Sequence, residues 1–341
     1  MNELEPFPRT DIKIVVLGGG TGSFTLLSSL KDHSKSIVAL VNMVDDGGST
    51  GVLRDELGVL PPGDVRQCLV ALSGVPEMRD LFSYRFEEGT LQGHTLGNLL
   101  LTAVEKMTGD FSKAVEMASE ILRINGRVVP VTLDNIRLKM EWPEQSVTLS
   151  GEHSIDADSF LHDPRQAKLS LVPNPRANPT ALAAIEQADL IVVAPGDLYT
   201  SLGPLLVVEG VGDALRKTKA KTMYVANLVT KKGQTDGFSV SDHVTEIERF
   251  AGGPFLDYVL YNKQVPSVEI AARYRAEGAY VVKADTEALS TKHYLARGGD
   301  FLGEVAKTAT SDVLPVTRSY IRHNAHAVVH AIMELYDTAY R

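Results

Sequence analysis

Three glycine-rich or acidic turns, each placed directly after a short apolar run, constrain this chain more than any other feature. Gly18-Gly19-Gly20-Thr21-Gly22 follows residues 13–17, and Asp45-Asp46-Gly47-Gly48-Ser49-Thr50-Gly51 follows residues 37–44. Pro195-Gly196-Asp197-Leu198-Tyr199-Thr200-Ser201 follows residues 190–194. A continuous apolar run stopped by glycine reads as a parallel strand covered on both faces. In an open α/β sheet, ligands bind outside the carboxyl ends of such strands. Glycine lets backbone N–H groups approach a phosphate closely, and a following helix N-terminus adds a favourable dipole. Three such turns point to a phosphorylated, nucleotide-like ligand.

The patterning around these turns predicts an α/β fold. Strand 13–17, helix 23–30 and strand 37–44 make one βαβ unit, and helical spacing recurs over 65–73, 95–107 and 113–124. The last of these is expected to stop near Asn125-Gly126. Residues 128–172 differ: short alternating segments at 131–133, 136–141 and 146–149, with Trp142-Pro143-Glu144-Gln145 as a hairpin turn, predict an antiparallel β insertion. That insertion is the candidate surface for a homodimer. Helix 180–187, strand 190–194, helix 206–217, strand 222–226, helix 242–250, strands 258–261 and 280–283, and a terminal helix 320–336 complete the pattern. One domain over residues 12–341 carrying the insertion is expected, and 341 residues suffice to build it.

Charge and cysteine content exclude several classes. The net charge is −9 with no basic tract, which argues against a nucleic-acid partner. The single cysteine, Cys68, excludes an intramolecular disulfide and a Cys-x-x-Cys zinc site. The first ten residues are polar and acidic with no basic n-region, so they do not read as a signal peptide. No apolar run is long enough to cross a bilayer. A cytoplasmic protein without membrane insertion is expected.

The glycine turn is not a dinucleotide fingerprint. Gly20-Thr21-Gly22-Ser23-Phe24-Thr25 lacks the third small residue, and the second strand ends near Asn42 instead of an acid that would hold a ribose. Nor is there a Gly-Lys-Ser/Thr. No nicotinamide or flavin cofactor is expected, but contact of the turn with an anion is. In the second turn, Asp45 or Asp46 reads as holding Mg²⁺, a ribose or a substrate hydroxyl, the alternative being a polar loop with an Asx turn. Leu60-Pro61-Pro62-Gly63-Asp64-Val65-Arg66 enters a helix, where Asp64 suits an N-cap and Arg66 a phosphate donor. Around the start of the helix at 95, binding by Asn98 is favoured over catalysis by His94. Tyr199, Thr200, Ser201 and Asn227 fall at the same expected sheet edge. His323, His326 and His330 follow helical spacing and read as a partly exposed face in preference to a metal site, with Arg322 able to reach a phosphate.

Read together, the motifs resemble the CofD-like superfamily, and within it the YvcK-type branch of gluconeogenesis factors. The matching segments are Gly-Gly-Gly-Thr-Gly at 18–22, Asp-Asp-Gly-Gly-Ser at 45–49, Leu-Pro-Pro-Gly-Asp-Val-Arg-Gln-Cys-Leu at 60–69 and Tyr-Arg-Phe at 84–86. Others are Gly-His-Thr-Leu-Gly-Asn at 93–98, Gly-Glu at 151–152, Leu-Tyr-Thr-Ser at 198–201 and Ile-Arg-His at 321–323. The resemblance implies a Rossmann-like, mostly parallel sheet flanked by helices. It also implies one of two activities. The gluconeogenesis-factor branch binds UDP-sugars such as UDP-N-acetylglucosamine and affects carbon flux, cell shape and cell-wall precursor supply. The other branch holds 2-phospho-L-lactate transferase, which uses a nucleoside-diphosphate-activated donor and Mg²⁺.

On the first reading Gly18, Gly19, Gly20, Thr21 and Gly22 cradle the diphosphate with Gly196, Leu198, Tyr199, Thr200 and Ser201. Asp45 or Asp46, beside Gly47, Gly48 and Ser49, holds metal or a sugar hydroxyl. Asn98 and Asn227 fix sugar or base, Arg66 and Arg322 supply positive charge, and Gly63, Asp64 and His94 line the same site. On the second reading Asp45 or Asp46 organises the metal or accepts the proton. Three departures from the family pattern stand out. Asp197 replaces a serine and Ala194 a glycine. Lys231 and Gln234 replace glutamine and glutamate in the loop after strand 222–226, and Asn324 replaces an aspartate.

Overall fold

The computed structural model describes residues 10–157, 159–305 and 321–339. Residues 1–9, whose polar character argues against a signal peptide, and Tyr320, the expected start of the last helix, lie outside them. Seven strands form one parallel sheet: β1 (Thr10–Gly18), β2 (Ser34–Val41) and β3 (Arg127–Pro130), then, after a three-stranded insertion of β4 (Arg137–Trp142), β5 (Val147–Ser150) and β6 (Lys168–Val172), β7 (Leu190–Val193), β8 (Lys221–Val225), β9 (Tyr258–Asn262) and β10 (Leu295–Gly299). Their order across the sheet is β10-β9-β8-β7-β1-β2-β3. From β1 the chain winds outward to β3 on one side; from β7 it winds outward to β10 on the other. The reversal lies between β1 and β7, whose register pairs Leu17 with Val193. This topological switch point is where a crevice opens at the carboxyl edge of the sheet.

Seven helices of the first half matter for the site: α1 (Gly20–Leu30), α2 (Gly48–Leu57), α3 (Gly63–Leu72), α4 (Pro76–Ser83), α5 (Leu96–Thr108), α6 (Phe111–Leu122) and α7 (Glu152–Ala157). Helices on both faces explain why β1 and β7 show no alternation: Ile14, Val15, Val16 and Leu17, like Leu190, Ile191, Val192 and Val193, are all buried. The α/β, Rossmann-like architecture with a separate antiparallel sheet is as the sequence predicts. So is the turn at Pro143–Gln145 that joins β4 to β5.

Four details differ. Residues 127–130 are not part of the insertion but pair parallel with β2 as the sheet edge, and the antiparallel sheet, ordered β5-β4-β6, begins only at Arg137. Residues 280–283 make isolated bridges to Val229 and Ser239 instead of a sheet strand, and the outer strand is β10, whose sequence Leu-Ala-Arg-Gly-Gly carries no apolar run. Helix 206–217 is divided at Gly210, which takes a left-handed φ of 95°. Finally, Ile321–His323 forms strand β12, antiparallel to β11 (Leu302–Val305), and the last helix is Ala325–Ala339. Asn324 Oδ1 accepts from Ala327 N at 3.1 Å, a side-chain cap that starts the helix after the histidine. The three histidines therefore do not share one helix face. His323 Nε2 donates to Ala226 O at 3.1 Å, while His326 shares a 3.3 Å hydrogen bond with Ser29.

Candidate functional site

The turns after β1 and β7 meet at the switch point. Gly20 begins α1 with φ of 60°, and a Cβ on Gly22 would stand 1.8 Å from the Pro195 carbonyl oxygen, so the two turns pack backbone against backbone. Asn227, just past β8, fixes the second turn. Its Nδ2 donates to Gly196 O at 2.8 Å, and its Oδ1 accepts from Gly196 N at 3.2 Å and from the Tyr224 hydroxyl at 3.2 Å. Both ends of the Asn227 amide are thus used to hold the two peptides that flank the Gly196 Cα.

The side chains of the β7 turn are spent on structure. Leu198 and Tyr199 are buried; the Tyr199 hydroxyl donates to Glu246 Oε2 at 3.0 Å, and its ring packs edge-on against Phe160 and Phe250. Thr200 is buried too, its Oγ1 donating to Asp156 Oδ1 at 3.2 Å and its carbonyl accepting from Asn42 Nδ2 at 3.2 Å. Ser201 remains partly open. This turn can meet a ligand through its backbone and Ser201. In the first turn Gly19 is buried, and Thr21 is exposed with its carbonyl accepting from the Thr25 hydroxyl.

Three carboxylates face one another across the β2 side of the crevice. Asp45 accepts from Gly47 N at 3.1 Å and from the Thr50 hydroxyl, yet burial raises its pKa, with Asp46 adding to the rise. Asp64 sits in the first turn of α3 and takes the Gly20 N–H, linking that helix to the glycine turn; burial, then the charge of Asp45, push its pKa up to about 7. Glu152, at the start of α7, is pushed up to about 9 by burial and by Asp45, Asp156, Asp46 and Asp64 in turn. Gly63 allows this approach, since a Cβ there would lie 2.5 Å from both Asp45 Oδ2 and Thr50 Oγ1.

Asp46 has a different task. Its Oδ2 accepts from Glu152 N and from Arg137 Nη1, each at 3.1 Å, and its Oδ1 accepts from His153 N at 2.7 Å. These bonds fasten the start of α7 to the turn after β2. The buried Arg54 supports that turn from behind, donating to Val44 O at 3.1 Å and Asp45 O at 2.9 Å.

Beside the carboxylates runs a polar chain that starts from Arg66, on the same helix as Asp64. Arg66 Nε donates to Asn98 Oδ1 at 2.9 Å, Asn98 Nδ2 donates to Ser49 Oγ at 3.1 Å, and Ser49 shares a 2.9 Å hydrogen bond with His94 Nδ1. Thr95 caps α5 by accepting from Asn98 N. Burial first, and Arg85 second, lower the Arg66 pKa to about 10, which leaves the guanidinium charged at neutral pH. Arg322 lies in β12, next to the His323 that bonds the end of β8; burial lowers the His323 pKa to about 4, so its ring is neutral.

The structure therefore brings Gly18–Gly22, Asp45, Ser49, Asp64, Arg66, Asn98 and the β7 turn to one edge of the sheet. It turns Tyr199 inward and commits Asp46 and Asn227 to holding the walls. Sequence reasoning assigned no role to Glu152, Thr50 or Arg54, although Gly151-Glu152 is one of the segments carrying the resemblance. Among the described residues no group of three or more His, Cys, Asp or Glu side chains is placed to hold a metal ion. Mg²⁺ needs only one or two carboxylates when phosphate and water complete its shell, and the mutually repelling Asp45 and Asp64 fit that donor set.

A family model described as 2-phospho-L-lactate transferase CofD matches residues 14–302. The gluconeogenesis factor of Bacillus subtilis is 38% identical over 326 residues, which cover 95% of this chain and 98% of the relative. That of Listeria monocytogenes is 34% identical over 330 residues, 96% of each. The crystal structure of a UPF0052 family protein from Bacillus halodurans superimposes with a TM-score of 0.84 at 37% identity, over 94% of this chain and 99% of that one. Among the described residues no helix is long and apolar enough to cross a membrane.

Proposed function

This chain belongs to the CofD family, and we propose that it is a nucleotide-sugar-binding protein of the gluconeogenesis-factor branch, acting in the cytoplasm on carbon flux, cell shape and the supply of cell-wall precursors. The observation that carries the reading is the meeting of two backbone turns at the switch point, with carboxylates and a charged Arg66 close beside them. The backbone N–H groups of the glycine turn and the start of α1, apart from the Gly20 N–H that Asp64 takes, suit a diphosphate. Arg66 supports that charge from the α3 side. Asn98 and Ser49, already linked to each other, offer hydrogen bonds to sugar hydroxyls. Asp45 and Asp64 would hold Mg²⁺, which when bound supplies positive charge to phosphate oxygens. In this reading no residue acts as a nucleophile, and ligand occupancy is sensed through the walls of the crevice.

A second reading, a phosphoryl-type transferase, is favoured by the placement of Asp64: it lies against Gly19 and takes the Gly20 N–H of the glycine turn, where burial and then Asp45 raise its pKa to about 7, into the range of an acid–base group. An acceptor hydroxyl would give its proton to Asp64 or Asp45 as its oxygen attacks phosphorus and the nucleotide leaves with the bonding pair. Arg66 would offset the charge on the phosphoryl oxygens, and positioning would supply most of the rate.

Calorimetric titration against UDP-N-acetylglucosamine, GDP and NAD, with and without Mg²⁺, separates these. Tight uridine-sugar binding with no product is the expected outcome. Preference for GDP with Mg²⁺ would favour the transferase, and binding of none would overturn both.

A further inference from the structure

Lys231 lies in the loop that leaves β8 and reaches the β7 turn and α7. Its Nζ is 2.9 Å from Asp197 Oδ2 in the β7 turn, and it is also hydrogen-bonded to Asp156 Oδ1 near the end of α7. Burial alone would lower the Lys231 pKa, but Asp197 and Asp156 together outweigh it and keep the ammonium charged. The same loop holds the α7 segment in other ways. Gln234 Nε2 donates to Ile155 O at 2.8 Å and to Asp156 O at 3.2 Å, and Phe160 N donates to Gly233 O at 2.8 Å. At its opposite end α7 is fastened to Asp46.

A helix of six residues is too short to persist on its own hydrogen bonds, so these attachments decide where it sits. α7 thus spans from the β2 turn to the β7 and β8 turns and carries Glu152 at its β2 end. Asp197, meanwhile, places a carboxylate in a turn whose backbone is suited to an anion. Without a neighbouring cation it would repel any phosphate there.

We propose that Lys231 is a positioning residue that holds α7 across the crevice and cancels the carboxylate of Asp197, so that the β7 turn accepts an anionic ligand. The second half rests on the diphosphate reading above; the first does not, because the anchoring of α7 exists without ligand.

The test compares the wild type with Lys231→Gln, Lys231→Arg and the double variant Lys231→Gln/Asp197→Ser. Hydrogen exchange reads the α7 amides, and calorimetry reads UDP-N-acetylglucosamine. In Lys231→Gln the α7 amides are expected to exchange about tenfold faster while β1 and β7 keep their protection, which shows that the fold survives. Affinity is expected to fall about tenfold. The double variant should recover most of the affinity but not the α7 protection, and Lys231→Arg should keep both. Unchanged exchange in Lys231→Gln overturns the anchoring role. An affinity loss that Asp197→Ser does not relieve overturns the charge-cancelling role. A wild type that binds no nucleotide sugar removes the diphosphate reading and with it the charge-cancelling role, and the exchange data still decide the anchoring.

Discussion

Gly22, in the turn after β1, touches the backbone of Pro195, in the turn after β7, so closely that a Cβ at Gly22 would stand 1.8 Å from the Pro195 carbonyl oxygen. That oxygen belongs to the main chain, and Asn227 holds the same peptide by its Gly196 N–H and the next one by the Gly196 carbonyl, so it has little freedom to retreat. Gly22→Ala is therefore expected to separate the turns. The cost should be about 1–3 kcal/mol, the usual range for overpacking. Denaturant melts check this, and an unchanged midpoint would show that the turns are not held against each other.

Asp45 and Asp46 are adjacent but should respond oppositely to neutralisation. Asp46 accepts three charge-assisted hydrogen bonds, so Asp46→Asn turns one acceptor into a donor facing an N–H and should lose about 1.5–3 kcal/mol of stability. Asp45 is a half-buried carboxylate whose desolvation outweighs the hydrogen bonds it accepts from Gly47 N and Thr50, so Asp45→Asn should leave the metal-free protein as stable or more so. It should instead weaken Mg²⁺-dependent nucleotide binding. Paired melting and titration of the two variants would reverse the assignment if the effects were exchanged.

Asn227 is expected to act on the ligand only through Gly196. Removal of its amide in Asn227→Ala leaves a peptide N–H and C=O without their partner, at about 1–3 kcal/mol. Tyr224→Phe removes one donor to the same amide and should cost less. A loss of nucleotide affinity in Asn227→Ala with no change in melting temperature would show direct ligand contact instead.

Stability should also depend on pH in a defined way. Asp64 at about 7 and Glu152 at about 9 bind protons in the native state over a range where the unfolded carboxyls have lost them. Their contribution is complete below an unfolded pKa of about 4 and is lost as pH rises through the folded values. His323, at about 4, works in the other direction: its contribution is complete above about 6.5 and is lost as pH falls. The metal-free protein should therefore melt at lower temperature at about pH 8.5 than at about pH 6.5, and Glu152→Gln should flatten that decline. Melting temperature against pH, with Mg²⁺ expected to restore the alkaline side, tests the assignment.

Much of the fold was legible because glycine and apolar patterning are local signals. The strand at 13–17 and the helix at 23–30 fall inside β1 and α1, each of which begins three residues earlier, since an unbroken Ile-Val-Val-Leu run has few alternatives to a covered strand. β10 was not legible, because Leu-Ala-Arg-Gly-Gly forms a strand only by pairing with β9. Sequence patterning merges most of β3 into the insertion because a four-residue strand does not reveal its partner. The periodic spacing of His323 to His326 and His330 suggests a helix that the structure starts only at Ala325, because the Asn324 side chain caps it there.

The sequence by itself determined where the chain turns, which turns carry glycine and acid, and that they end strands of one sheet. Those properties reside in single residues and their immediate neighbours. Only the tertiary structure decided what each side chain in those turns is for. Asp46 is held by backbone N–H groups of Glu152 and His153, more than a hundred residues away, while its neighbour Asp45 faces Asp64. Asp197 and Lys231, two departures from the family pattern read separately along the chain, form one ion pair in space. Whether a carboxylate binds, holds a wall or is cancelled depends on which donors and charges surround it, and those come from elements that only folding brings together.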